Sequence, residues 1–193
     1  MDEMFQWDEL SKDSSGKTLL LYRHQRVLDE GVVTAGMRVL DVGGWGAFAS
    51  RLMEEGVDCT IMDNFSEDQY YPERVRSLPH IAGDILDVEM LSQLGKFDVV
   101  SCFEMLEHCL DQKAAIVNIY DLLVDGGTLV GTFPIPGHSH AVGDPDVNFL
   151  TEDELNCLFK ECGFVVQSLE PTASIFPGDT PCSFYFKCQK KGI

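Results

Sequence analysis

Residues 39–49 read VLDVGGWGAFA, and this stretch decides the predicted fold. A hydrophobic strand carries an acidic residue, Asp41, near its end and passes through Gly43, Gly44 and Gly46 into a helical pattern. Such a turn needs glycines because side chains would hold the backbone away from a ligand. The free N–H groups of the first helical turn can then bind a polar or anionic group. The stretch predicts a nucleotide-binding turn. The alternative is a strand-to-helix turn whose glycines serve packing alone.

Short hydrophobic runs alternate with helical periods on both sides of this turn, a pattern typical of a parallel sheet covered by helices. The strands are predicted at residues 38–42, 59–62, 80–82, 97–102, 128–133, 164–169 and 183–188. Helices are predicted at residues 47–55, 88–94 and 112–123, and a last one begins with the capping box of Thr151 and Glu154. The final two strands are joined by a turn-rich loop without a helix. We therefore predict a single α/β domain of the Rossmann-like, doubly wound class, with a seven-stranded, mostly parallel sheet and an antiparallel C-terminal strand.

Composition narrows the classes of partner. The chain has 193 residues, of which 45% are hydrophobic, and its formal net charge is −18, as expected for one acidic globular domain. A surface this negative repels phosphate backbones and anionic lipids, so neither nucleic acid nor a membrane is expected as a partner. No secretory signal is visible, and the seven cysteines form no C-x-x-C pair. The prediction is a cytoplasmic protein that acts on a small molecule, and its oligomeric state cannot be read from the sequence.

Two further acids follow strands, as Asp41 does. Asp63 comes at the end of the second strand, where a carboxylate can accept hydrogen bonds from both hydroxyls of a ribose. Asp84 follows the third strand and could accept from the exocyclic amine of adenine. The alternatives are that Asp63 and Asn64 cap the turn that follows them and that Asp84 caps the helix starting near Val88. Three acids at one edge of a sheet favour a cationic ligand, because a pyrophosphate would be repelled.

The glycine turn also satisfies another pattern. Gly44-x-Gly46-x-x-Ala49, with Asp63 about 20 residues later, matches the dinucleotide fingerprint G-x-G-x-x-G/A. A nicotinamide-dependent oxidoreductase is therefore an alternative, although only the glycines and Asp63 support it.

With these residues, the sequence resembles the class I S-adenosylmethionine-dependent methyltransferases over residues 39–188. The resemblance rests on the glycine turn with its acids, on FDVVSCFEMLEHCLD at residues 97–111 and on LLVDGGTLVGTFP at residues 122–134. The second segment is closest in wording to ubiquinone-biosynthesis O-methyltransferases, and its E-x-x-E-H pattern also occurs in small-RNA terminal 2′-O-methyltransferases. The resemblance implies that residues 37–193 form an S-adenosylmethionine-binding domain, preceded by an N-terminal flap and helix at residues 1–36.

The resemblance also implies a set of cofactor-binding residues. The glycine turn would approach the methionine part, Asp63 the ribose, Asp84 with the backbone of the next residue the adenine, and Phe103 would lie beside the sulfonium. The full implied set is Asp41, Gly43, Gly44, Gly46, Asp63, Asn64, Asp84, Ile85 and Phe103. The turn departs from the family pattern D-x-G-x-G-x-G, because it is one residue shorter or substituted.

Glu104, Glu107 and His108 stand at spacings i, i+3 and i+4, so a helix after the fourth strand would present all three on one face. Three interpretations stay open. His108 could take a proton from a substrate hydroxyl, since imidazole exchanges protons near neutral pH. The three side chains could bind Mg²⁺ or Zn²⁺, completed by His138 or His140. They could also simply begin a helix. We predict His108 and Glu107 as catalytic residues and include no metal in the predicted site.

These observations favour an enzyme that transfers a methyl group from S-adenosylmethionine to oxygen, less readily nitrogen, of a small molecule. The chemistry is an in-line displacement, for which the protein mainly supplies alignment and one base. Two alternatives remain. The E-x-x-E-H match suggests a metal-assisted RNA 2′-O-methyltransferase, against which the net charge argues, and the shortened turn suggests a non-catalytic S-adenosylmethionine-binding module.

Overall fold

The computed structural model describes residues 17–18, 20–44, 46–64, 77–137, 147–173, 178 and 180–192. His138, His140 and most of the predicted N-terminal flap lie outside these residues. No helix in the described part of the chain is both long and apolar enough to cross a membrane.

Seven strands form one sheet in the order β3-β2-β1-β4-β5-β7-β6. Their bounds are β1 Arg38–Val42, β2 Asp58–Asp63, β3 His80–Ala82, β4 Phe97–Phe103, β5 Leu123–Pro134, β6 Phe164–Thr172 and β7 Ser183–Lys190. The first five strands pair in parallel, and β7 runs antiparallel to both β5 and β6. The predicted fold class is confirmed.

Helices cover both faces of the sheet. They are α1 Tyr22–Asp29, α2 Ala47–Glu54, α3 Val88–Leu91, α4 Gln112–Leu122 and α5 Glu152–Glu161. Neighbouring residues of β1 point to opposite faces: Val39 packs in the cluster that contains α1 and α2, and Leu40 packs in the cluster that contains α3, α4 and α5. This double burial explains why the parallel strands read as almost continuous hydrophobic runs. The chain turns from one face to the other between β1 and β4, which is where ligands bind in sheets of this kind.

Charged side chains hold α1 against the last two strands. Arg26 pairs with Glu30, at 2.7 Å from Nε to Oε1, and with Glu170 of β6. The Nζ of Lys187 lies 2.8 Å from Glu30 Oε2, and the Arg26 guanidinium lies 3.8 Å from the centre of the Tyr185 ring. These contacts fix α1 above β7 and β6.

The segment before α1 is held on its other side by α2. The Oγ1 of Thr18 donates to Glu54 Oε1 at 2.9 Å, and Arg51 donates to the Thr18 carbonyl at 2.8 Å. Because α1 is tied to α2 at one end and to the sheet at the other, Arg23 and His24 reach the ends of the central strands.

The helix that would bring Glu104, Glu107 and His108 to one face does not form. Only Leu106–His108 is helical, as a single 3₁₀ turn, and Glu104 has φ 53°, in the left-handed region. Two contacts explain the difference. The Glu104 N–H donates to the Thr132 carbonyl at 3.0 Å, so strand pairing continues past β4, and Asp111 begins the next helix as its N-cap. Glu104, Glu107 and His108 therefore do not lie on one face of an α-helix.

Candidate active site

Most predicted cofactor residues lie along one edge of the sheet. Asp63 ends β2, the glycine turn follows β1, and Phe103 ends β4. Since β2, β1 and β4 are neighbours, these residues line the crevice where the strand order reverses. Asp84 lies close to the same edge, two residues after β3.

The Asp41 carboxylate lies under the glycine turn. Its side chain is 2% exposed, and Ser101 of β4 donates to its Oδ1 at 2.7 Å. A Cβ added at Gly44 would lie 2.1 Å from Asp41 Oδ2, so the backbone of the turn passes directly over this carboxylate. Burial, and then the charge of Asp63, raise the Asp41 pKa to about 7, which the Ser101 hydrogen bond partly opposes. Asp41 therefore lies buried beneath the turn instead of facing open solvent.

The turn passes directly into α2. Gly46 is the N-cap with φ 85°, a conformation that other residues rarely adopt, and Gly43 has φ 71°. The Gly43 N–H donates to the Met62 carbonyl at 2.8 Å, which ties the turn to β2. The glycines thus serve both the backbone conformation and the close approach to Asp41.

Asp63 and Asn64 differ in exposure. The Asp63 side chain is 8% exposed, and its carbonyl accepts from the Gly83 N–H at 2.8 Å, so the end of β2 is tied to the segment after β3. Asn64 is exposed. This placement sets the Asp63 carboxylate beside the crevice and Asn64 at its outer rim.

Asp84 is exposed and shapes a turn. Its Oδ1 accepts from the Leu86 N–H at 2.9 Å. The alternative that Asp84 caps the helix starting near Val88 is wrong, because Asp87 holds that position. Ile85 is buried, and its carbonyl accepts from the Asn118 amide at 2.8 Å. Helix α3 is capped by Asp87, whose side chain accepts from the Met90 N–H.

Three aromatic rings meet at the end of β4. The ring centre of His24 lies 4.5 Å from that of Phe103 and 5.2 Å from that of Phe48, and the two phenylalanine rings are 5.2 Å apart. Phe48 stands in the first turn of α2 and His24 in α1. Three separate elements therefore meet around the residue predicted to lie beside the sulfonium.

Glu104, which is half-buried, and Glu107, which is buried, form an acidic pair next to these rings. Glu107 is 0% exposed, and neither of its carboxyl oxygens has a hydrogen-bond partner in the described part of the chain. Oε1 of Glu104 is likewise buried without one. Burial, and then the charge of Glu104, raise the Glu107 pKa to about 8, although Arg23 of α1 opposes the shift. Such a group can release or take up a proton in the range where many enzymes work.

His108 lies on the outside of this pair. Its side chain is 48% exposed, and its Nε2 is 3.8 Å from Glu107 Oε1, beyond hydrogen-bonding distance. Within the residues described, no group of three or more His, Cys, Asp or Glu side chains is arranged to hold a metal ion. The predicted metal partners His138 and His140 are not among those residues.

Sequence reasoning assigned no role to four residues that the structure brings to this site: Arg23, His24, Ser101 and Thr132. Thr132 pairs with Phe103 across β4 and β5, and its hydroxyl is buried without a partner among the described residues. Ser101 pairs with Asp41 in the β1–β4 register, so knowing the strand order would have found it. The two α1 residues carried no such signal, because their position depends on distant contacts.

A family model described as a methyltransferase domain matches residues 19–169. The chain is also similar to a ubiquinone biosynthesis O-methyltransferase from Psychrobacter arcticus, with 30% identity over 169 residues, which cover 76% of this chain and 65% of that protein. A protein with the same printed name from Xanthomonas campestris is 38% identical over 104 residues, 51% of this chain and 43% of that one. The chain thus spans less than two thirds of these relatives.

A solved structure shares the fold. The N-methyltransferase NodS from Bradyrhizobium japonicum, crystallised with S-adenosyl-L-homocysteine, superimposes with a TM-score of 0.67 over 87% of this chain and 85% of that one. The sequences are 18% identical. At this identity the structural similarity establishes the fold alone.

Proposed function

We propose, because this chain belongs to the methyltransferase domain family, that it transfers a methyl group from S-adenosylmethionine to an oxygen atom of a small molecule. The named O-methyltransferase relatives support oxygen as the acceptor atom.

One observation carries the proposal: the order of chemical groups along the sheet edge. Moving from β3 to β4, the edge presents Asp84, Asp63, the glycine turn over Asp41, and Phe103 with the acidic pair. A carboxylate suits the ribose hydroxyls, a glycine turn lets the ligand approach the backbone, and negative side chains favour a cationic donor. No single residue of this series is specific, and the order of the series as a whole supports the proposal.

The reaction is an in-line displacement at the methyl carbon. The acceptor oxygen forms the new bond to carbon while the bond from carbon to sulfur breaks, and the sulfonium becomes a neutral thioether. The protein holds the two partners in line. The hydroxyl proton must leave, and the buried Glu107 carboxylate is placed to accept it, since its raised pKa brings proton affinity close to working pH.

Calorimetry with S-adenosylmethionine and with NADH tests the donor, and the Asp63→Asn variant tests its placement. We expect micromolar-range binding of S-adenosylmethionine only, and about a tenfold weaker Kd for Asp63→Asn, because one charge-assisted hydrogen bond to the ribose is lost. Asp58→Asn is the matched control, since Asp58 is exposed at the opposite end of the same strand. Binding of NADH alone would revive the oxidoreductase alternative.

A second candidate is the metal-assisted RNA 2′-O-methyltransferase. Oε1 of Glu104 and both carboxyl oxygens of Glu107, which have no hydrogen-bond partner among the residues described, favour it, because hard divalent cations take carboxylate ligands. The net charge of −18 opposes an RNA acceptor. We expect EDTA to leave turnover of a small hydroxyl acceptor unchanged. Methyl incorporation into short RNA that EDTA abolishes and Mg²⁺ restores would decide for the second candidate.

A further inference from the structure

His24 stands out among the buried polar side chains. It is 9% exposed, and its Nδ1 is buried without a hydrogen-bond partner among the residues described. Leaving a buried polar atom unpaired costs free energy, so such atoms often face a ligand. The imidazole stacks on Phe48 and meets the edge of Phe103, so its ring is held in place by contacts on two sides.

The strand order fixes which part of the donor comes near this ring. S-adenosylmethionine is a linear molecule in which ribose separates adenine from the sulfur and the amino-acid end. If ribose lies at Asp63 on β2 and adenine lies toward Asp84 beyond β3, the amino-acid end must extend the opposite way, over β1 to the end of β4. His24 lies there, in contact with the last residue of β4 and with the first turn of α2 that follows the glycine turn.

We propose that Nδ1 of His24 hydrogen-bonds the amino-acid end of the donor, which makes this residue of α1 a determinant of donor recognition. The inference rests on the proposed function and adds a contact that the acidic strand ends do not supply.

The electrostatic setting of His24 suits this contact. Burial, and then the charge of Arg23, lower its pKa well below the ordinary value, so the ring is neutral at working pH. A neutral imidazole has one donor and one acceptor nitrogen and can therefore pair with the ammonium or the carboxylate of an amino acid. It also adds no positive charge beside the sulfonium.

The test compares two ligands that share adenosine and a thioether but differ in the amino-acid end: S-adenosylhomocysteine and 5′-methylthioadenosine. For His24→Phe, which keeps the ring contacts and removes both nitrogens, we expect the Kd of S-adenosylhomocysteine to rise about tenfold, as for one lost hydrogen bond to a charged group. The Kd of 5′-methylthioadenosine, measured by displacement, should change less than about twofold. His24→Asn, whose amide can stand near the position of Nδ1, should recover part of the loss.

Gln25→Ala is the matched control on the same helix, because the Gln25 amide only bonds Asp29 on the exposed side. Equal weakening of both ligands by His24→Phe would mean a purely structural role and would overturn the proposal, as would unchanged affinity for both. A wild-type protein that binds neither ligand would instead overturn the proposed function. Thermal unfolding of each variant shows whether it is folded. If His24→Phe does not fold, the Kd values of the two ligands are compared in His24→Asn instead.

Discussion

Glu107→Gln should lower the rate of methyl transfer by about 10²–10⁴-fold, the range that a general base contributes. The amide keeps the size of the side chain but cannot accept a proton, and the nearby Glu104 can accept a hydrogen bond from it. Donor affinity should change less than the rate, because the proposed role of Glu107 is to accept the proton of the acceptor hydroxyl. Turnover is measured as transfer of labelled methyl to a hydroxyl acceptor found by screening.

The pH dependence of the same variant gives an independent check. The wild-type rate should rise with pH through about 8, where Glu107 loses its proton, and this step should be absent in Glu107→Gln. The free energy of unfolding should change with pH in the opposite direction to the rate. Between the ordinary value of 4.5 and about 8, the folded protein keeps a proton that the unfolded chain has lost, so the free energy of unfolding falls as pH rises through that window.

His108→Ala serves as the matched comparison. Because His108 is half exposed and lies 3.8 Å from Glu107, we expect its removal to cost less than about tenfold in turnover. A larger loss in His108→Ala than in Glu107→Gln would assign the base to His108, as predicted from the sequence.

Gly44→Ala should weaken donor binding by more than about 100-fold, since the turn that would meet the donor cannot keep its position. The added methyl group would lie 2.1 Å from Oδ2 and 2.7 Å from Cγ of Asp41. The carboxylate cannot retreat easily, because it is buried and bonded to Ser101 at 2.7 Å. The backbone must move instead, and with it the start of α2. Calorimetry with S-adenosylhomocysteine measures the loss.

Two further variants separate this clash from a general effect of alanine. Gly192→Ala should leave the affinity unchanged, because a Cβ at this position has no atom within 4 Å. Adding Asp41→Ala to Gly44→Ala should recover part of the affinity, since it removes the atoms that clash, a coupling that a double-mutant cycle quantifies. Wild-type affinity in Gly44→Ala alone would show that the turn is not a binding element.

Much of the fold could be predicted because its signals are local. Hydrophobic runs, glycines after helices and the Thr151 capping box lie within a few residues of the elements they define. All seven predicted strands are present, but β5 begins earlier, at Leu123, and β6 and β7 extend further, to Thr172 and Lys190. The positions of Asp41 and Asp63 at the sheet edge followed from their place at strand ends.

The parts of the site that the sequence did not predict depend on contacts between distant residues. The spacing of Glu104, Glu107 and His108 fits a helix, but the bond from Glu104 to Thr132 of β5 prevents one from starting there. The role inferred for His24 depends on where α1 docks. That docking is set by partners 144 residues apart, Arg26 and Glu170, which no local pattern connects.

The anchoring of α1 has a consequence for how the protein matures during translation. Arg26 and Glu30 emerge from the ribosome well before their partners Glu170 and Lys187. Until β6 and β7 have been made, α1 lacks the charged contacts that fix it above these strands. A nascent chain halted ahead of β6 would carry the glycine turn, Asp41 and Asp63, but its α1 would lack the ion pairs with Glu170 and Lys187.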